Sequence, residues 1–254
     1  MTLTERLAPL IVPLAIVAAW QLAALHYATP LFPGPIKVAI ALFDNFGTIT
    51  LQLGITLTRA AIGFLIALLA MIPLGIVLGR LHLLGRLAEP IMDMLATLPP
   101  PAVIPLVMLL AGTGDAAKIA VIAYAAAVPL LINTYEASKG IHPMFSRVAA
   151  SVRLTPLETM RLIDWPASLP MIATGARLAI ASSLLVSITT EMLLATNGIG
   201  VVLQRSQDNF RNDQGLASIC VIALVGMLIN MAMLRLEQHW LFWHYRSGAS
   251  GGPG

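Results

Sequence analysis

The 254 residues carry 58% hydrophobic and only 11% charged side chains, with a mean hydropathy of +0.85. An ordinary soluble domain is about one quarter charged, so the chain lacks the polar surface to cover itself in water, which excludes a soluble globular protein. A net charge of +3 points to loops sorted by the positive-inside rule rather than to nucleic acid, and a lone Cys220 excludes an intrachain disulfide.

A spanning helix needs about 20 mostly apolar residues, and six segments qualify. The first, 8–25, has an apolar core longer than the roughly 7–15 residues of a signal-peptide core, and Pro9 and Pro13 suit the start of a membrane helix. The second, 60–79, carries no charge. The third, 87–112, is interrupted by Pro90, Pro99-Pro100-Pro101 and Pro105. A triple proline frees backbone groups that lipid cannot satisfy, so residues 97–105 are predicted to face the bundle interior. The fourth, fifth and sixth segments are 119–135, 171–196 and 216–234. The expected fold class is an all-α membrane protein of about six transmembrane helices. Residues 1–246 would form a single transmembrane domain, and the Gly/Ser-rich tail 247–254 would be disordered.

Lys and Arg counts orient the spans. With the N-terminus inside, the inner side holds Arg6, Arg80, Arg86, Lys139, Arg147, Arg153, Arg161, Arg235 and Arg246. The outer side holds Lys37, Lys118, Arg205 and Arg211. Nine against four predicts cytoplasmic N- and C-termini in a multi-pass membrane protein. It also places loop 141–170 in the cytoplasm, with Trp240, Trp243 and Tyr245 as an aromatic anchor at the inner interface.

That loop is long, basic and helix-forming. Thr155-Pro156-Leu157-Glu158 combines an N-cap, a first-turn proline and a reciprocal carboxylate, a capping box that predicts a helix start. A preceding helix is predicted from Pro143 to Arg153, then a bend at Leu154, with the second helix running to Trp165. Two readings fit: a pair of interfacial helices drawn to headgroups by Arg147, Arg153 and Arg161, or a handle on which another protein pushes.

The chain resembles a known family over most of its length. From Leu31-Phe32-Pro33-Gly34-Pro35 to Asn197-Gly198-Ile199-Gly200, it is similar to the permease subunits of ATP-binding-cassette importers, in the nitrate, sulfonate, taurine and bicarbonate branch. Between them stand Ile72-Pro73-Leu74-Gly75-Ile76, Thr97-Leu98-Pro99-Pro100 and Ile104-Pro105-Leu106. Gly112-Thr113-Gly114-Asp115, Asn133-Thr134-Tyr135, Gly175-Ala176-Arg177-Leu178 and Glu191-Met192 follow in family order.

The resemblance implies a type I importer permease architecture with a cytoplasmic coupling helix. It implies a second permease copy (a homodimer by default), separate ATPase subunits and a soluble solute-binding protein at the outer face. It implies no cofactor in this chain, ATP and Mg being bound by the partner ATPase, and no enzymatic activity of its own. The family's coupling pattern runs Glu-Ala-Ala, then Gly, then Ile-x-Leu-Pro. Anchored on Pro166, it assigns coupling positions to Arg147, Ala149, Ala150, Arg153, Leu154, Thr155, Ile163 and Pro166. Arg147 stands at the Glu position, Arg153 at the Gly position and Trp165 at the Leu position. A Gly there permits a left-handed backbone, whereas Arg153 is expected to continue the helix. Arg147 fits either a more acidic groove on the partner ATPase or a position that tolerates variation.

Charges within spans are functional candidates. Arg177 lies roughly 9 Å up the fifth span and Asp93 at a similar depth on the third; Glu191 lies about 30 Å up the fifth, level with Arg59. Depth predicts the pairs Asp93–Arg177 and Arg59–Glu191, as interhelical anchors more readily than as substrate ligands. Pro99 and Pro100 at the break, with Ser183 and Ser187 on the fifth span, are further candidates for the translocation path or for close helix packing. No Gly-x-x-x-x-Gly-Lys-Ser/Thr loop is present, so the chain is not expected to hydrolyse ATP, and the five histidines form no His-Glu-x-x-His pattern. An ATP-driven importer permease is the leading reading, with an ion-coupled secondary carrier as the alternative; neither inverted repeats nor midplane charges support the latter.

Overall fold

The computed structural model describes residues 3–240, and among them every regular element is helical. In chain order these are α1 (Leu3–Tyr27), α2 (Pro35–Asp44), α3 (Phe46–Arg80), α4 (His82–Thr97), α5 (Pro100–Ala111), α6 (Asp115–Lys139), α7 (Pro143–Ser151), α8 (Pro156–Thr159), α9 (Trp165–Leu194), α10 (Ile199–Asp208) and α11 (Asn212–Trp240), with a π-helical turn, Met160–Asp164, before α9. Trp243, Tyr245, Arg246 and the tail 247–254 lie outside the described residues.

Four helical stretches are long and apolar enough to cross a membrane: Phe46–Arg80, Asp115–Lys139, Leu157–Leu194 and Asn212–Trp240. His82–Thr97 and Pro100–Ala111 together make a broken span bent by 96°, and Ile11–Tyr27 is a shorter apolar helix. The helices exceed their predicted apolar cores, and hydroxyls in the added turns bond back to their own backbone. On α3, Thr50 Oγ1 donates to Phe46 O at 2.8 Å and Thr56 Oγ1 to Gln52 O at 3.1 Å. The loop's second helix does not stop at Trp165 as predicted. It runs through the π turn into the fifth span, so the irregular turn stands directly before Pro166, whose missing N–H leaves a carbonyl of that turn without its helical donor.

The chain divides into two compact units. One comprises, among the described residues, 57–190 and 226–240. Its core joins Ala67, Ile72 and Ile76 of α3, Ala126 and Leu130 of α6, and Ile172, Ala176 and Ala179 of α9. Small residues set the spacing: a Cβ on Gly63 would meet Ile122, one on Gly75 would meet Thr134, and one on Gly79 would meet Ser138. The contacts advance together along both chains, so α3 and α6 run parallel. Helix α4 runs antiparallel to α6, with Glu89 beside Tyr135 and Leu95 beside Tyr124. The other unit comprises residues 1–56 and 191–225, where Val38, Ala41, Ile49, Leu53, Ile199, Val201 and Ala217 are buried.

Candidate functional site

Loop 141–170 is built by local capping. His142 Nδ1 accepts from Met144 N–H at 3.1 Å and caps α7. The helix closes in a Schellman turn: Leu154 N–H donates to Ala149 O at 3.0 Å and Arg153 N–H to Ala150 O at 3.1 Å. Arg153 adopts φ 54°, so it ends the helix rather than continuing it. The two carbonyls satisfied by this turn, together with the half-buried Leu154, outweigh the roughly 1–2 kcal/mol that a left-handed backbone costs a residue with a Cβ. Arg153→Gly is therefore expected to stabilise the turn by about 1 kcal/mol, and Arg153→Ala to leave that strain in place. Comparison of the two melting temperatures in detergent checks this; equal values would place the strain elsewhere.

The capping box forms as the sequence predicts. Thr155 N–H and Oγ1 each donate to Glu158 Oε2 at 2.8 Å, and Glu158 N–H donates to Thr155 Oγ1 at 3.3 Å. Of the assigned coupling residues, Ala149 is buried, Leu154, Ile163 and Pro166 are half-buried, and Arg147, Ala150, Arg153 and Thr155 are exposed. Met144, Phe145 and Val148 expose apolar side chains around Arg147 on α7.

The broken span is largely exposed within this single chain. Pro99 is exposed and Pro100 half-buried; within residues 97–105 only Ile104 is buried. Tyr124 Oη from α6 donates to Leu95 O at 3.0 Å, the carbonyl that Pro99 releases, and approaches Leu98 O at 3.4 Å.

Charged residues pair differently from the depth argument in one case. Arg177 forms its ion pair with Glu237 of α11, and Asp93 is exposed on α4, so the Asp93–Arg177 pair is not formed. The sequence reading ended the sixth span at residue 234 and left Glu237 outside it, whereas α11 continues to Trp240. Arg59, with its side chain 5% exposed, donates from Nη2 and Nε to Asp115 Oδ1 at 2.7 and 3.1 Å, a partner that depth alone did not suggest. Lys118 Nζ reaches the same oxygen at 3.1 Å. Arg59 and Glu191 fall in different units, and their expected pairing stays a proposal. Ser183 and Ser187 are fully buried, and Ser183 Oγ donates back to Ala179 O at 2.8 Å, an arrangement suited to helix packing.

In the other unit, a polar cluster gathers at the N-terminus of α10. Gly198 N–H donates to Gln52 Oε1 at 2.6 Å, Ile199 N–H to Thr56 Oγ1 at 2.9 Å, and Gly200 N–H to Glu191 Oε2 at 3.1 Å. Thr56 Oγ1 in turn donates to Glu191 Oε2 at 2.7 Å. Helix α10 has no capping side chain of its own at Gly198, so α3 and α9 supply acceptors for its orphan N–H groups. The buried Glu191 carboxylate stands where the helix dipole favours negative charge. Sequence reasoning named Glu191 but missed Gln52 and Thr56, whose four-residue spacing on one helix face was the available signal. It also missed Arg80 and Asp164, which pair between the end of α3 and the π turn.

Comparison with known proteins gives one consistent result. The family described as "Binding-protein-dependent transport system inner membrane component" matches residues 71–240. The taurine transport system permease protein TauC of Escherichia coli is 28% identical over 89% of this chain and 85% of its own length. The nitrate import permease protein NrtB of Synechococcus elongatus is 30% identical over 84% and 82%. Among solved structures, a chain of the inward-facing MetNI methionine ABC transporter superposes with a TM-score of 0.68 at 16% identity, covering 77% of this chain and 97% of that one. The fold is that of importer permeases.

Proposed function

Since this chain belongs to the family of binding-protein-dependent transport system inner membrane components, we propose a specific role for it: it lines the path of a small oxyanion or zwitterion such as taurine or nitrate. It is a multi-pass membrane permease subunit of an ATP-binding-cassette importer, and the ion-coupled carrier is set aside by that membership. The solute class rests on the relatives, which are taurine and nitrate permeases. In this reading residues 1–246 act as one permease domain with both termini in the cytoplasm. Two copies pair, ATP and Mg are held by a separate ATPase, and this chain catalyses no reaction itself.

The observation that carries the reading is the build of loop 141–170. A short helix capped at both ends, then a capping box, presents Arg147 among the exposed Met144, Phe145 and Val148. Such a rigid, apolar and basic knob suits an acidic, apolar groove on the ATPase. Closure of the ATPase dimer would move the knob and shift the spans between inward and outward access. A loaded binding protein is productive only if it favours the outward state, since only differential binding shifts such an equilibrium.

Affinity purification from the native membrane in mild detergent tests this. An ATP-binding-cassette ATPase in near-equal amount is expected, while a chain that purifies alone in several detergents would sink the proposal. In the same experiment Arg147→Glu is expected to lower the retained ATPase several-fold. An unchanged yield would mean that the position merely tolerates either charge.

A further inference from the structure

We propose that the Arg80–Asp164 ion pair is the link through which movement of the coupling loop reaches α3 and the broken span, so that both residues are positioning residues of the transport cycle. The inference deepens the permease reading and rests on it.

Arg80 is the last residue of α3, and a single non-helical residue, Leu81, separates it from α4. Whatever holds Arg80 therefore holds the joint from which the α4–α5 span departs. Asp164 closes the π turn that connects the capping-box helix to α9. A π turn carries about one residue more than an α turn and is seldom kept without a use; here it ends with the Asp164 carboxylate, 8% exposed, on Arg80.

The surroundings leave the pair as a polar tie between loop and joint. The pair itself lines an open cleft of about 410 Å³, together with Ala149, Ala150, Leu154, Thr159 and Met160. Its wall includes the Schellman turn that ends α7, which brings that end of the coupling helix next to the ion pair. A partly buried ion pair contributes little net stability, and here it fixes the register of the two elements it joins. Burial of Asp164 also makes the pair a directional tie, since a carboxylate 8% exposed does not give up its cation at low cost.

The test is hydrogen–deuterium exchange on the detergent-purified permease–ATPase complex, with and without the non-hydrolysable analogue β,γ-imido-ATP. In the wild type, nucleotide is expected to change exchange both in residues 143–152 and in the joint, residues 78–86. In Asp164→Asn and Arg80→Gln the loop keeps its response, while the response of the joint falls at least threefold. The swap Arg80→Asp with Asp164→Arg restores it, and Arg80→Lys retains most of it. An unaltered joint response in the two single neutral variants would overturn the proposal. Loss of the ATPase from every variant, the swap included, would make the pair a folding contact and overturn it equally. A wild-type chain that retains no ATPase removes the permease reading itself, and the proposal with it.

Discussion

Replacing Gly198 by alanine is expected to unseat the first turn of α10 and to lower the melting temperature of the protein in detergent. The backbone there has φ 112° and ψ 163°, a region essentially reserved for glycine, costing another residue of order 1–3 kcal/mol. Space adds to strain, because a Cβ at this position would fall on the Glu191 carboxylate. Glu191 is 1% exposed and cannot swing into water without leaving Thr56 and the Gly200 N–H. Each charge-assisted bond lost inside the protein is worth about 1.5–3 kcal/mol. The combined effect is at least about 3 kcal/mol. Gly47→Ala is the internal control: it sits in the first turn of α3 with nothing within 4 Å of its Cβ, and alanine in a helix is favoured by up to about 1 kcal/mol. Opposite shifts for the two alanines are expected. A Gly198→Ala protein as stable as the wild type would show that the cluster does not hold α10.

Arg177→Met is expected to destabilise the protein far more than Asp93→Asn, although the two residues lie at the same nominal depth. Glu237, with its side chain 11% exposed, loses the Arg177 guanidinium when Arg177 is replaced. Breaking a fully buried pair from one side costs about 3–5 kcal/mol. Arg177 retains 30% exposure, so solvent offsets part of the loss and about 2–3 kcal/mol is expected. Asp93 is exposed on α4, and its neutralisation is worth less than about 0.5 kcal/mol. The double variant Arg177→Met with Glu237→Leu separates pairing from packing: it recovers most of the loss if the damage is a stranded carboxylate. Melting temperatures of the four proteins in one detergent decide the matter. Equal effects of Arg177→Met and Asp93→Asn would contradict the α9–α11 pairing.

The class of the protein, its apolar segments and the starts of both loop helices were legible in the residues alone. Each rests on short-range information: a run of apolar side chains, a proline in a first turn, a Thr and a Glu three residues apart. Thr155 and Glu158 cap each other because nothing beyond their own turn is needed. The family pattern was equally readable, because its motifs are local and ordered along the chain.

What only the tertiary structure decided is which distant groups meet. Depth in a membrane is one coordinate, while each step along a helix rotates a side chain by about 100°. Two residues at one level therefore face each other only if neighbouring helices are turned accordingly. This is why Arg177 found Glu237 and not Asp93, and why the acceptors for α10 came from Gln52, Thr56 and Glu191. Arg153 took a glycine's conformation because the Schellman turn offered more than its backbone strain cost. The pairing of Arg80 with Asp164 likewise depended on a π turn that no local pattern announces. Hydropathy and capping act within a few residues and survive in a bare sequence; the partners of buried charges depend on how whole helices are rotated against one another, which only packing sets.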